Sequence, residues 1–82
     1  DTAVAMNAYF RSDDAANVYD TAGSSQVLGR LPEREQLVLT LYYQHELSLK
    51  EIALVLELSD ARICQLIKQA IQRACTLLNE PN

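Results

Sequence analysis

Residues 48–71, SLKEIALVLELSDARICQLIKQAI, contain two helix starts so close together that the chain must turn a tight corner between them. Ser48-Leu49-Lys50-Glu51 is a capping box. The Ser48 hydroxyl can accept from the Glu51 N–H while the Glu51 carboxylate reaches back to the Ser48 N–H. It opens a short helix to about Leu56, with Leu49, Ile52, Ala53, Val55 and Leu56 as its apolar set. Ser59 caps a second helix from Asp60 to about Leu78, and Pro81 stands beyond its end. Only Glu57-Leu58-Ser59 separates the two. A helix-turn-helix needs a small residue where the helices cross and apolar residues on both inner faces. Ala53 is that small residue, and Ile52, Leu56, Leu58, Ile63 and Leu66 supply the inner contacts.

No segment alternates apolar and polar residues with a period of two, so no strands are expected and the fold is all-α. Upstream of the corner, Pro32 suits a first helical position, and Glu33 and Glu35 face the positive end of that helix's dipole. This helix should run to about His45. Leu37, Val38, Leu39, Leu41, Tyr42 and Tyr43 occupy more than one of its faces, so it is either central or presents a second face to a partner. Ser24 or Ser25 can cap a short helix through Val27 and Leu28 that ends at Gly29. Residues 11–25, RSDDAANVYDTAGSS, read as a linker with at most a loose turn of helix. Residues 2–10, TAVAMNAYF, can form a short amphipathic helix capped by Asp1 or Thr2. The expected architecture is a small four-helix domain over residues 24–82 with a C-terminal helix-turn-helix. Residues 1–23 would be a helical or irregular N-terminal arm leading from an upstream domain, since the chain opens on Asp1 rather than Met.

Charge restricts what such a domain can do. Seven Lys and Arg stand against 11 Asp and Glu, for a net charge of −4. Neither half of the chain is a basic arm, so nucleic-acid contact must come from a local arrangement rather than bulk charge. Cys64 and Cys75, if on one helix, lie about 16 Å apart along it at ~1.5 Å per residue and cannot pair. With a single His, His45, there is no zinc pattern. No nucleophile–base set or phosphate-cradling glycine loop is present, which argues against an enzyme, and no cofactor is expected. His45 reads as a cap or surface residue. No apolar run approaches the ~18 residues of a membrane span, and no signal segment is seen, so a cytoplasmic protein is expected.

Winding the last helix at about 100° per residue separates two faces. Ile63, Leu66, Ile67, Ala70, Ile71, Ala74, Leu77 and Leu78 gather on one side. Ala61, Gln65, Lys68, Gln69 and Gln72 lie opposite, with Arg62 and Arg73 on a flank. Gln can read adenine through N6 and N7, and Arg or Lys reaches guanine or phosphate. The same face would serve equally as a plain solvated surface.

LPEREQLVLTLYYQHELSLKEIALVLELSDARICQLIKQAI closely resembles the C-terminal region, region four, of bacterial sigma factors, and within it the flagellar or motility type. The LYYQ segment separates it from response-regulator helix-turn-helix domains, which share the ERE and KEIA patterns. The resemblance covers about Leu31 to Leu78. It implies a four-helix domain whose last helix enters the major groove of the promoter −35 element, and docking on the β flap of RNA polymerase. Carried over by position, Arg62 and Gln65 stand at recognition positions, and Ser59, Asp60 and Ala61 stand where base or phosphate contacts begin. Lys50, Lys68, Gln69 and Gln72 complete the candidate DNA-binding set. Leu39 and Tyr43, turned away from the Leu37/Leu41 stripe, are the candidate polymerase contacts.

The sequence departs from the family at several points. Cys64 and Ile67 replace residues that look polar in relatives, and Gln72, Ala74 and Cys75 dilute a usually basic tail. Ala53 replaces a common Gly, and Glu57 stands where many helix-turn-helix proteins have Gly. A second reading therefore stands beside promoter recognition: a sigma-like interaction module, held by polymerase or an anti-sigma factor, with little DNA affinity of its own. The apolar residues of 2–10 further suggest that the isolated fragment forms a homodimer.

Overall fold

A computed structural model describes residues 2–80 and is helical throughout, with no strand among them. Its elements are α1 (Thr2–Phe10), α2 (Asp13–Ser24), a 3-10 turn (Val27–Arg30), α3 (Glu33–Leu39), a π-helical turn (Thr40–Gln44), α4 (Leu49–Leu56) and α5 (Asp60–Leu78). Asp1, offered as a cap for α1, and Pro81, offered as a stop for α5, lie outside the described residues.

Residues 13–24 are not a linker. Ser12 caps α2 by accepting from the Ala15 N–H, and Asp13 and Asp14 follow in the first turn, where negative charge meets the positive end of the helix. Ala15, Tyr19 and Ala22, spaced one helical turn apart, are all buried. Ser24 and Ser25 accordingly close α2 instead of opening a helix. The Ser25 N–H and hydroxyl both donate to the Thr21 carbonyl. The following 3-10 turn is entered through Gln26, at φ 68°, with no side-chain cap. Pro32 sits one position earlier than expected, just before Glu33.

Helix α3 continues into the π turn, where the His45 N–H reaches the Thr40 carbonyl at 3.2 Å. Such a turn holds more residues, so consecutive side chains are separated by a smaller angle. Tyr42 and Tyr43 can therefore both meet the α1–α2 hairpin. The Tyr42 hydroxyl donates to Asn7 Oδ1, and the Arg11 guanidinium lies 4.4 Å above the Tyr42 ring. The Tyr43 hydroxyl donates to the Phe10 carbonyl at 2.7 Å, and its ring stacks on Tyr19 at 4.9 Å. Burial pushes both phenols above their ordinary pKa.

One apolar core results. Phe10, Ala15, Tyr19 and Ala22 from the hairpin join Val38, Leu39, Tyr42, Ile52, Ile63 and Ile67 in it. The core thus crosses the boundary expected after residue 23. Helix α5 is its axis, packed by α1, α2, α3 and α4. No helix among the described residues is long and apolar enough to cross a membrane.

Candidate nucleic-acid interface

The corner between α4 and α5 forms by local hydrogen bonding. The capping box is present in both directions, with Glu51 N to Ser48 Oγ at 3.1 Å and Ser48 N to Glu51 Oε1 at 2.9 Å. The Ser48 N–H holds the Glu51 carboxyl below its ordinary pKa. Helix α4 ends in a Schellman motif: Leu58 N donates to the Ala53 carbonyl at 2.9 Å and Glu57 N to Leu54 at 3.4 Å, around Glu57 at φ 58° and ψ 43°. Left-handed backbone at this position is the reason glycine is favoured there. Ser59 then caps α5 by accepting from the Arg62 N–H at 3.1 Å.

Glu57→Gly should therefore stabilise the chain. An L-residue in this conformation costs roughly 1–2 kcal/mol, offset in part by glycine's extra freedom in the unfolded chain, roughly 0.4–1 kcal/mol. Thermal denaturation should show a gain of about 0.5–1 kcal/mol for glycine and none for Glu57→Ala. A glycine variant that melts below the parent would refute the strained corner.

From Ser59 the exposed side of α5 runs through Ala61, Arg62, Gln65, Lys68, Gln69 and Gln72, all open to solvent. At about 100° per residue they fall within roughly a third of the helix circumference, so they form one strip about 16 Å long at ~1.5 Å rise per residue. Lys50 is exposed on α4, and Asp60 is half-buried at the start of the strip. The structure thus brings together the α5 residues named from the sequence. Arg62 Nη1 also donates to Gln65 Oε1 at 3.4 Å, one turn further along.

Three expectations change. First, Arg73 is not free to meet a phosphate. Its Nε and Nη2 donate to the two carboxylate oxygens of Glu35, at 3.0 and 3.4 Å. Glu35 is 5% exposed, while the Arg73 side chain is 52% exposed. Glu35 had been assigned only to the helix dipole. It lies on the buried side of the helix with Val38, Leu39 and Tyr42, a side that periodicity alone does not distinguish.

Arg73→Ala should cost about 2–3 kcal/mol, the low end for removing the partner of a buried charge because one side is solvated. Replacing both residues with Leu should recover most of that loss. A single variant with unchanged urea denaturation would remove the pair from the fold's support.

Second, Leu39 is 1% exposed, and Tyr43 is held half-buried under α1. Leu39 thus presents no surface to a partner, and the Tyr43 hydroxyl is engaged by the Phe10 carbonyl. Leu37, of the opposite stripe, is 43% exposed, while Leu41 packs partly buried against the core as Tyr43 does. The large exposed apolar residues of the corner are Leu54 at 75% and Val55 at 61%, the latter a member of the apolar set expected for α4. Nothing in the sequence reading singled out Leu54.

Third, Cys64 and Ile67 are buried, so they offer no apolar surface to a partner. Burial, and secondarily the Asp60 carboxylate, push the Cys64 thiol above its ordinary pKa. A raised thiol pKa leaves it an inert packing group. Cys75 is exposed, and neither cysteine is paired.

Comparison with known proteins agrees with this geometry. The family "Sigma-70, region 4" matches residues 27–73. An RNA polymerase sigma factor for flagellar operon from Vibrio parahaemolyticus is 62% identical over 52 residues, which is 63% of this chain and 22% of that protein. RNA polymerase sigma factor FliA of Salmonella typhimurium is 64% identical over 50 residues, 61% of this chain and 21% of the relative. The Escherichia coli protein of that name is 56% identical over 55 residues, 67% of this chain and 23% of the relative. The matched segment is thus under a quarter of those relatives' length. No solved structure matches the chain.

Proposed function

The chain belongs to the Sigma-70, region 4 family, and from that premise we propose that it acts in transcription initiation as the promoter-reading domain of a flagellar-type sigma factor. In this reading α5 enters the major groove of the −35 element, and a cytoplasmic site of action goes with it. The observation that carries the proposal is the single exposed strip Ala61, Arg62, Gln65, Lys68, Gln69 and Gln72, set behind a helix-turn-helix corner. Base edges are read by side chains projecting from one face of such a helix. Ser59 and Asp60 stand at the start of the strip, where free helix N–H groups favour phosphate, and Lys50 is exposed on α4.

Binding by this domain alone should be weak. With Arg73 engaged by Glu35, the cations left for phosphate on α4 and α5 are Lys50, Arg62 and Lys68. Three neutralised phosphates set the steepest log–log salt slope at about −2.7, and two, with Arg62 turned to a base edge, give about −1.8. Asp60 and Glu57 stand beside them, and the net charge of −4 slows encounter with DNA. Useful affinity would then come from tethering to RNA polymerase core, which raises the effective concentration at the promoter. We assign docking on the β flap to the exposed Leu54 and Val55, in place of Leu39 and Tyr43. The same two residues favour a second reading, an interaction module held by polymerase or an anti-sigma factor with little DNA affinity.

Fluorescence anisotropy with a −35 duplex and a scrambled duplex separates the two. Gln65→Ala should weaken the −35 complex by about 1–3 kcal/mol and relax preference at one base pair. Lys68→Ala should lower affinity for both duplexes alike. Equal losses on both duplexes for Gln65→Ala would remove it from base reading. A nanomolar dissociation constant at physiological salt, or a slope far steeper than three cations allow, would overturn the tethering argument. No binding at very low salt would favour the interaction module.

A further inference from the structure

The geometry of α5 joins Arg62 and Gln65. Arg62 Nη1 lies 3.4 Å from Gln65 Oε1, both side chains being exposed on the same strip of α5. A guanidinium has donors only, so the partner it selects on the glutamine amide must be the oxygen. Because the amide is planar, turning Oε1 toward Arg62 turns the Nε2 hydrogens the other way. The pair then meets the groove chiefly through donors, the remaining guanidinium N–H groups and the Nε2 hydrogens, with one Oε1 lone pair engaged by Arg62.

Resting on the promoter-reading proposal, we infer that Arg62 and Gln65 form one reading unit selective for a keto base, guanine or thymine, on the strand they face. In the major groove guanine offers O6 and N7, and thymine offers O4, all acceptors. Adenine sets its N6 hydrogens beside N7, and cytosine presents N4 hydrogens. A unit whose outward groups are chiefly donors meets those hydrogens donor to donor, which carries the cost of unsatisfied polar groups. A lone glutamine behaves differently. With Oε1 free it pairs with adenine through N6 and N7, the contact a reading of Gln65 in isolation suggests. Arg62 thereby acts as the residue that sets what Gln65 prefers.

The test uses the full 82-residue chain at low salt, with −35 duplexes in which each position carries each of the four base pairs in turn. The position read by Gln65 is the one at which Gln65→Ala flattens the preference. There the parent chain should bind guanine or thymine on one strand roughly tenfold more tightly than adenine or cytosine, within the range of one good base contact. Arg62→Ala should shift that same position toward adenine, which a mere loss of charge or of helix stability would not do. Circular dichroism checks that both variants, altered only at exposed side chains, keep the parent fold.

Adenine preferred by the parent chain at that position, or an unchanged preference in Arg62→Ala, overturns the joint unit while leaving promoter reading intact. So does discrimination of the −35 duplex with no position flattened by Gln65→Ala. If the parent chain does not distinguish the −35 duplex from a scrambled one at any position, promoter reading itself fails and the unit with it.

Discussion

Leu39→Asp is expected to unfold the domain rather than weaken a polymerase contact. Leu39 is 1% exposed within the core. Removing a buried leucine costs about 2–5 kcal/mol, and an unpartnered carboxylate in its place adds several more. A chain of 82 residues has total stability of only about 4–12 kcal/mol, from roughly 0.05–0.15 per residue. The variant should show little cooperative melting by circular dichroism at 25 °C. Leu37→Asp, two residues earlier and 43% exposed, should remain folded with a loss of about 1 kcal/mol or less. A folded Leu39→Asp that has lost only flap binding would mean the inner face of α3 is the other one.

Phe10→Ala should have the next largest effect. Phe10 is fully buried, edge-on to the Tyr42 ring with centroids 5.9 Å apart, and its carbonyl accepts from Tyr43. Truncating a buried phenylalanine costs about 3–5 kcal/mol. In a domain of this size each kcal/mol lowers the melting temperature by roughly 4–8 °C, so a fall of more than about 12 °C is expected. Tyr9→Ala, at an exposed neighbouring position, should change it far less. A loss under about 1 kcal/mol for Phe10→Ala would show the N-terminal hairpin to be a detachable arm.

The hairpin also bears on self-association. The apolar residues of 2–10 that raised the prospect of a homodimer are met within the chain, since Phe10 is buried and Met6 packs against the core. Val4 and Tyr9 stay exposed, the only large apolar side chains of α1 to do so among the described residues. The reason for proposing exchange between copies is correspondingly smaller.

Much of the candidate site was legible because its signals are local. A capping box, a serine cap and a Schellman end each close over three to five residues, so Ser48, Glu51, Glu57 and Ser59 declare the corner within a short window. The two faces of α5 follow from helical periodicity, and the residues named for its polar side are exposed. Local chemistry also carries the conformational strain at Glu57, where the absence of glycine is visible in the sequence and the left-handed backbone in the structure.

Tertiary packing decided what lay between competing local solutions. Helix α3 carries apolar residues on more than one face, and periodicity alone ranks them equally. The inner stripe Glu35, Val38, Leu39 and Tyr42 is selected by partners far along the chain: Arg73, 38 residues away, and the α1–α2 hairpin, 33 to 35 residues away. Residues 13–24 are polar enough to read as a linker, yet Ala15, Tyr19 and Ala22 suffice for a helix once α5 offers an apolar face to cover. The same packing buries Cys64 and Ile67, which the isolated helix would have left as exposed apolar surface. The physical reason is that a helix start is determined by hydrogen bonds to near neighbours, whereas burial depends on which distant surface arrives to exclude water.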